Sequence, residues 1–135
     1  MGKSGAARSG ADGAMLEQAM NQLARLAALA PNWDSYGAIP PTDAAISEAE
    51  AVLRLAFHSF GDRARPHAIA PLADGGVSLE WKGARADVEV EVAADGALGY
   101  LFTGHSPLDD RQIERDRVSE REILDVLRLA DLAQA

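Results

Sequence analysis

The chain has 135 residues, 47% of them hydrophobic and 25% charged, enough for one packed core and one globular domain. It has no cysteine, which excludes a disulfide framework, a thiolate metal site and a cysteine nucleophile. The net charge is −8 and no segment gathers a basic stripe, so direct nucleic-acid binding is not expected, whereas attraction to basic surfaces is.

Residues 1–13 are rich in Gly, Ser and Ala without periodicity and read as a disordered leader; 14–135 then form one α+β domain. That leader lacks the apolar centre of a secretory signal, and no apolar run is long enough to span a bilayer, so a cytoplasmic protein with no membrane contact is expected. From Ala14, the apolar residues Leu16, Met20, Leu23, Leu26, Ala27 and Ala30 recur at helical spacing. Pro31 ends this helix by driving the preceding residue out of helical geometry. A segment dense in Asx, Gly and Pro follows, Asn32 to Pro41, with two aromatics inside it. Thr42 reads as the N-cap of a second helix, whose stripe is Ile46, Ala49, Leu53, Ala56, Phe57 and Phe60, and Gly61 stops it.

After Pro66 the period changes to two. His67 to Leu72 reads as an edge strand, and Asp74-Gly75-Gly76 turns the chain. Val77, Leu79 and Trp81 alternate with polar residues, and so do Val88, Val90 and Val92. Asp95-Gly96 is a hairpin signal before Leu98, Tyr100 and Phe102. The gaps are too short for crossover helices, so the strands should form an antiparallel meander. Residues 104–111 read as a polar loop and Gln112 to Val118 as a short fifth strand. Ser119 and Glu122 make a capping box for a last amphipathic helix carrying Ile123, Val126, Leu127 and Ala130. The expected order is α-α-β-β-β-β-(β)-α, a four- or five-stranded sheet with helices on one face and water on the other.

Asn32-Trp33-Asp34-Ser35-Tyr36-Gly37-Ala38-Ile39-Pro40 and Asp74-Gly75-Gly76-Val77-Ser78-Leu79-Glu80-Trp81 resemble a family of small, mostly uncharacterised bacterial proteins. That family carries an N-W-D-[GS]-Y-G-A-x-P motif after its first helix and a later D-G-G-x-x-L-E-W strand, and the likeness runs from Leu16 to Leu129. The resemblance implies a bacterial protein and no particular reaction, so it assigns no catalytic residue. Read from the residues, the loop has two uses. Trp33 and Tyr36 can plug the gap between helices and sheet, with Asn32 and Asp34 closing local turns, or Trp33, Asp34 and Tyr36 can face outward and grip a partner.

The strict alternation places Glu80, Asp87, Glu89 and Glu91 together on the wet face. Such carboxylates serve as a solvated face, as oxygen ligands for a hard cation, or as a docking surface for a basic protein. Asp74, followed further on by Glu80-x-Lys82 on a strand, also resembles the pattern of metal-dependent PD-(D/E)xK nucleases, but with Asp74 in a turn, no helix after that strand and no basic groove. His58, His67 and His105 show no metal-ligand spacing, and no nucleophile elbow or phosphate loop is present. The expectation is a non-catalytic protein-interaction module with an acidic docking surface, inhibitor or antitoxin-like, without cofactor or metal. A nuclease and a small-ligand binder with a pocket beside Trp33 are the alternatives. Homo-oligomerisation through an edge strand or the last helix stays open.

Overall fold

A computed structural model describes the backbone of residues 2–132 and the side chains of 13–132. Among the described residues there are three α-helices, α1 (Gly2–Ala27), α2 (Asp43–Phe60) and α3 (Glu120–Ala130), and a short 3₁₀ turn, Gly61–Ala64. Five strands, β1 (Ala68–Pro71), β2 (Val77–Lys82), β3 (Ala86–Val92), β4 (Leu98–Gly104) and β5 (Gln112–Val118), form one antiparallel sheet in chain order. The α+β meander expected from alternation is the fold, and the fifth strand is part of it. The side chains of most of the expected leader, residues 1–12, lie outside the described residues; the backbone of α1 starts at Gly2.

The helices end where their caps dictate. Thr42 Oγ1 accepts from Ala45 N at 3.0 Å and donates to Ala94 O at 2.6 Å, so the cap also ties α2 to the β3–β4 hairpin. Ser119 Oγ accepts from Glu122 N at 3.1 Å at the start of α3. The helix α1 stops at Ala27, short of Pro31, with Ala28 N and Leu29 N bonded three residues back. Ala27 and Ala30, expected on the apolar stripe, are exposed, while Ala19 and Leu23 are buried.

The core lies between the three helices and one sheet face. Val77, Leu79, Trp81, Val88, Val90, Val92, Leu98, Tyr100 and Phe102 meet Ala49, Val52, Leu53 and Ala56 of α2 and Ile123 and Leu127 of α3. Trp81 is fully buried and its Nε1 donates to Ala64 O at 2.6 Å, so the largest core ring leaves no orphan donor. The β2–β3 turn closes the end of α3: Ala84 N donates to Asp131 O at 2.8 Å and Arg85 N to Ala130 O at 3.0 Å. Terminal carbonyls that the helix cannot bond itself are satisfied by a hairpin.

At the β4–β5 loop Asp109 is nearly buried and accepts from Arg111 N, Nε and an η-nitrogen at 3.0, 3.0 and 2.7 Å. Those bonds hold its carboxyl down to about 2. The lowered value makes this brace complete above the ordinary carboxylate range and lost as pH falls through about 2.

Glu48 on α2 behaves in the opposite sense. Its Oε2 is buried with no hydrogen-bond partner among the described residues. Burial first, then a hydrogen bond to Glu120 and the charge of Glu120, push the carboxyl up to about 7. A raised acid favours folding fully below the ordinary value of 4.5, and that contribution disappears as pH rises through about 7. Glu48→Gln should therefore flatten the melting temperature between pH 5 and 8. At pH 8 it should gain about 1 kcal/mol, the full shift being discounted for screening of a carboxyl still close to solvent. Thermal melts of both proteins across that range measure it.

Candidate functional site

The Asn32–Ile39 loop holds itself together. Asn32 N donates to Ala38 O at 2.8 Å, Asn32 Oδ1 accepts from Gly37 N at 2.6 Å, and Asp34 Oδ1 accepts from Tyr36 N at 2.8 Å and Ala38 N at 3.0 Å. Gly37 sits at φ 86°, where a side chain would be strained, and Asn32 tolerates its φ of 65° as Asn commonly does. Trp33 Nε1 donates to Ile39 O at 3.0 Å, leaving the ring half-buried and outside the core cluster. Tyr36 is 91% exposed and Ile39 54%. Asn32 and Asp34 close local turns as expected, but the aromatics do not plug the helix–sheet gap. The bonded backbone instead presents Tyr36 to solvent.

The loop docks beside the β1–β2 turn. Ile39 N donates to Ala73 O at 2.9 Å and Ile39 bridges Asp74. Asp74 and Glu91 line one groove of about 250 Å³ that continues past Gly99 to Asp116.

The open sheet face carries the carboxylates in two cross-strand rows. Glu80 pairs with Glu89, Glu89 with Leu101 and Leu101 with Glu114; the next row runs Ser78, Glu91, Gly99, Asp116. All their inward neighbours on β2, β3 and β4 are buried, so the pleat leaves this row to water. Gly99 has no side chain between Glu91 and Asp116, where even a Cβ would approach Asp116 Oδ1 to 2.9 Å. A recess of about 70 Å³ results, walled by Glu89, Glu91, Glu114 and Asp116. Partial burial, then the charges of Glu89, Asp74, Asp116 and Glu114, raise the Glu91 carboxyl above its ordinary range. The recess is short of positive charge.

Of the residues singled out from sequence, Glu80, Glu89 and Glu91 share this face. Asp87 is on it but already engaged, with Lys82 Nζ at 3.7 Å and His105 Nε2 at 3.0 Å. Glu114 and Asp116 join the site without having been anticipated, because both sides of β5 are polar and show no alternation to read. The nuclease-like residues do not converge: Lys82 turns to Asp87, and Asp74 Oδ1 accepts from Gly76 N at 3.2 Å in its turn. Among the described residues no group of three or more His, Asp or Glu is arranged to hold a metal ion. Nor does Trp33 line either groove described above.

Fold and surface together define an α+β domain whose five-stranded sheet is covered by helices on one side and bears an uncovered acidic face on the other. No family model, no curated protein and no solved structure matches the chain. No helix among the described residues is long and apolar enough to cross a membrane.

Proposed function

We propose that this protein is a non-catalytic interaction module of the bacterial cytosol that captures a basic protein on its open sheet face. An inhibitor or antitoxin-like role suits such a surface. The observation that carries the reading is the Gly99 recess, where Glu91 and Asp116 flank a position without a side chain; among the described residues no cation lines the recess, and Arg117, the one cation lining the adjoining groove, lies 4.0 Å from Asp95. A lysine or arginine of the partner fits there and offsets the carboxylate repulsion that, after burial, lifts the Glu91 carboxyl. Tyr36 and Ile39 supply an apolar anchor joined to the same groove through Asp74. Because the loop that carries them is internally bonded, little order has to be gained on binding.

The test is capture from native lysate by the wild type, by Glu89→Lys/Glu91→Lys and by Tyr36→Ala. One salt-eluted protein should be retained by the wild type and lost from the charge-reversed protein, with Tyr36→Ala about tenfold weaker. Retention should also rise as pH climbs above the ordinary carboxylate range, because a cation binds the deprotonated form of Glu91, whose carboxyl is raised. An identical set of proteins on all three baits, or none on the wild type at low salt, contradicts the reading.

A further inference from the structure

Away from the sheet face the molecule holds a groove of the opposite character. It has a volume of about 300 Å³ and lies between α1 and the linker that joins the 3₁₀ turn to β1. Gln18, Asn21, Gln22 and Arg25 line it from α1, Arg65 and His67 from the linker, and among the described residues no acidic side chain takes part. In a chain of net charge −8 that is a pronounced local reversal. Gln18, Gln22 and Arg25 recur at helical spacing and so share one side of α1.

The linker is held in shape. Arg65 N donates to Asp62 O at 3.1 Å, His67 N donates to Glu80 O at 2.7 Å, and Pro66 fixes the backbone between them. The side chains themselves are uncommitted. Among the described residues, Arg25, Arg65 and His67 make no side-chain hydrogen bond or ion pair, although Arg111, Arg115, Arg117 and Arg128 all do. An exposed arginine without a carboxylate beside it is a fork of donors waiting for oxygens, and the three carboxamides add further N–H donors.

We infer that this groove binds a small oxyanion, a phosphate ester or a polycarboxylate, between Arg25 and Arg65 with His67 and the carboxamides as additional donors. A volume of about 300 Å³ admits a compact metabolite. A nucleic-acid strand is disfavoured by the net charge of −8 and by a sequence that gathers no basic run. This site is independent of the sheet face.

The experiment is titration with inorganic pyrophosphate and, separately, with citrate, at constant ionic strength set by chloride. It is read by calorimetry and by the ring resonances of His67. One probe or both should bind saturably and shift His67, and the tighter of the two identifies the source as phosphate or carboxylate. Arg25→Gln and Arg65→Gln should each weaken binding about tenfold or more, the scale of a charge-assisted contact. Arg121→Gln, the same charge change on α3, should leave binding unaltered. Melting of each variant in chloride alone confirms its fold, since all three arginines are exposed. Absence of saturable binding by both probes, or binding that survives in Arg25→Gln and Arg65→Gln, overturns the inference.

Discussion

A Trp81→Ala protein is expected to lose about 3–5 kcal/mol of stability, a large part of what a domain of this size possesses. Trp81, near the end of β2, is the largest fully buried side chain and belongs to the core cluster that joins the sheet to the helices. Its removal takes away apolar contacts and leaves a cavity that three helices and a sheet cannot all collapse to fill. It also strips Ala64 O of its donor at the 3₁₀ turn. Trp81→Phe separates the two contributions: much of the ring volume stays, while the carbonyl loses its partner, at a cost of about 1–3 kcal/mol. Urea unfolding measures both as a lower midpoint at an unchanged slope. Equal losses in the two variants would mean that packing around the indole contributes little.

Gly83→Ala should have an effect nearly as large from a single methyl group. At this position a Cβ would collide with the Ala130 carbonyl, a backbone atom at the end of α3 that no side-chain rotation can move. Either the turn shifts, breaking the bonds from Ala84 N and Arg85 N to the helix end, or α3 lifts from the sheet. About 3 kcal/mol is expected, at the upper end for overpacking. Hydrogen exchange should accelerate first at Ala84, Arg85 and the last turn of α3. Gly13→Ala is the counter-case. It lies in α1 at negative φ with open space around it, so the same substitution should stabilise by about 0.5–1 kcal/mol through helix propensity.

How legible these features were in the sequence depended on their range. The caps at Thr42 and Ser119 and the apolar alternation of β2 and β3 are local, and the fold follows them. The end of α1 was misplaced because Pro31 sets only a latest stop, whereas three-residue turns at Ala28 and Leu29 end the helix earlier. The acidic sheet face was only half visible. Glu80, Glu89 and Glu91 could be read from alternation, but Glu114 and Asp116 arrive through the pairing of β5, and His105 reaches Asp87 from a loop. Tyr36 needed the loop's hydrogen bonds, since composition alone cannot tell a buried tyrosine from a presented one. The cationic groove joins Arg25 to Arg65 and His67 across the packing of α1 on the linker, a proximity no local pattern encodes.

The docking claim is tested most directly by mapping amide and Tyr36 ring resonances while an arginine-rich peptide is titrated at low salt. Saturable shifts confined to Glu89, Glu91, Gly99, Glu114, Asp116 and Tyr36, abolished by Glu89→Lys/Glu91→Lys, are the predicted result. Shifts scattered over the helical side, or unchanged in the charge-reversed protein, would show that the uncovered carboxylates are only a solvated surface.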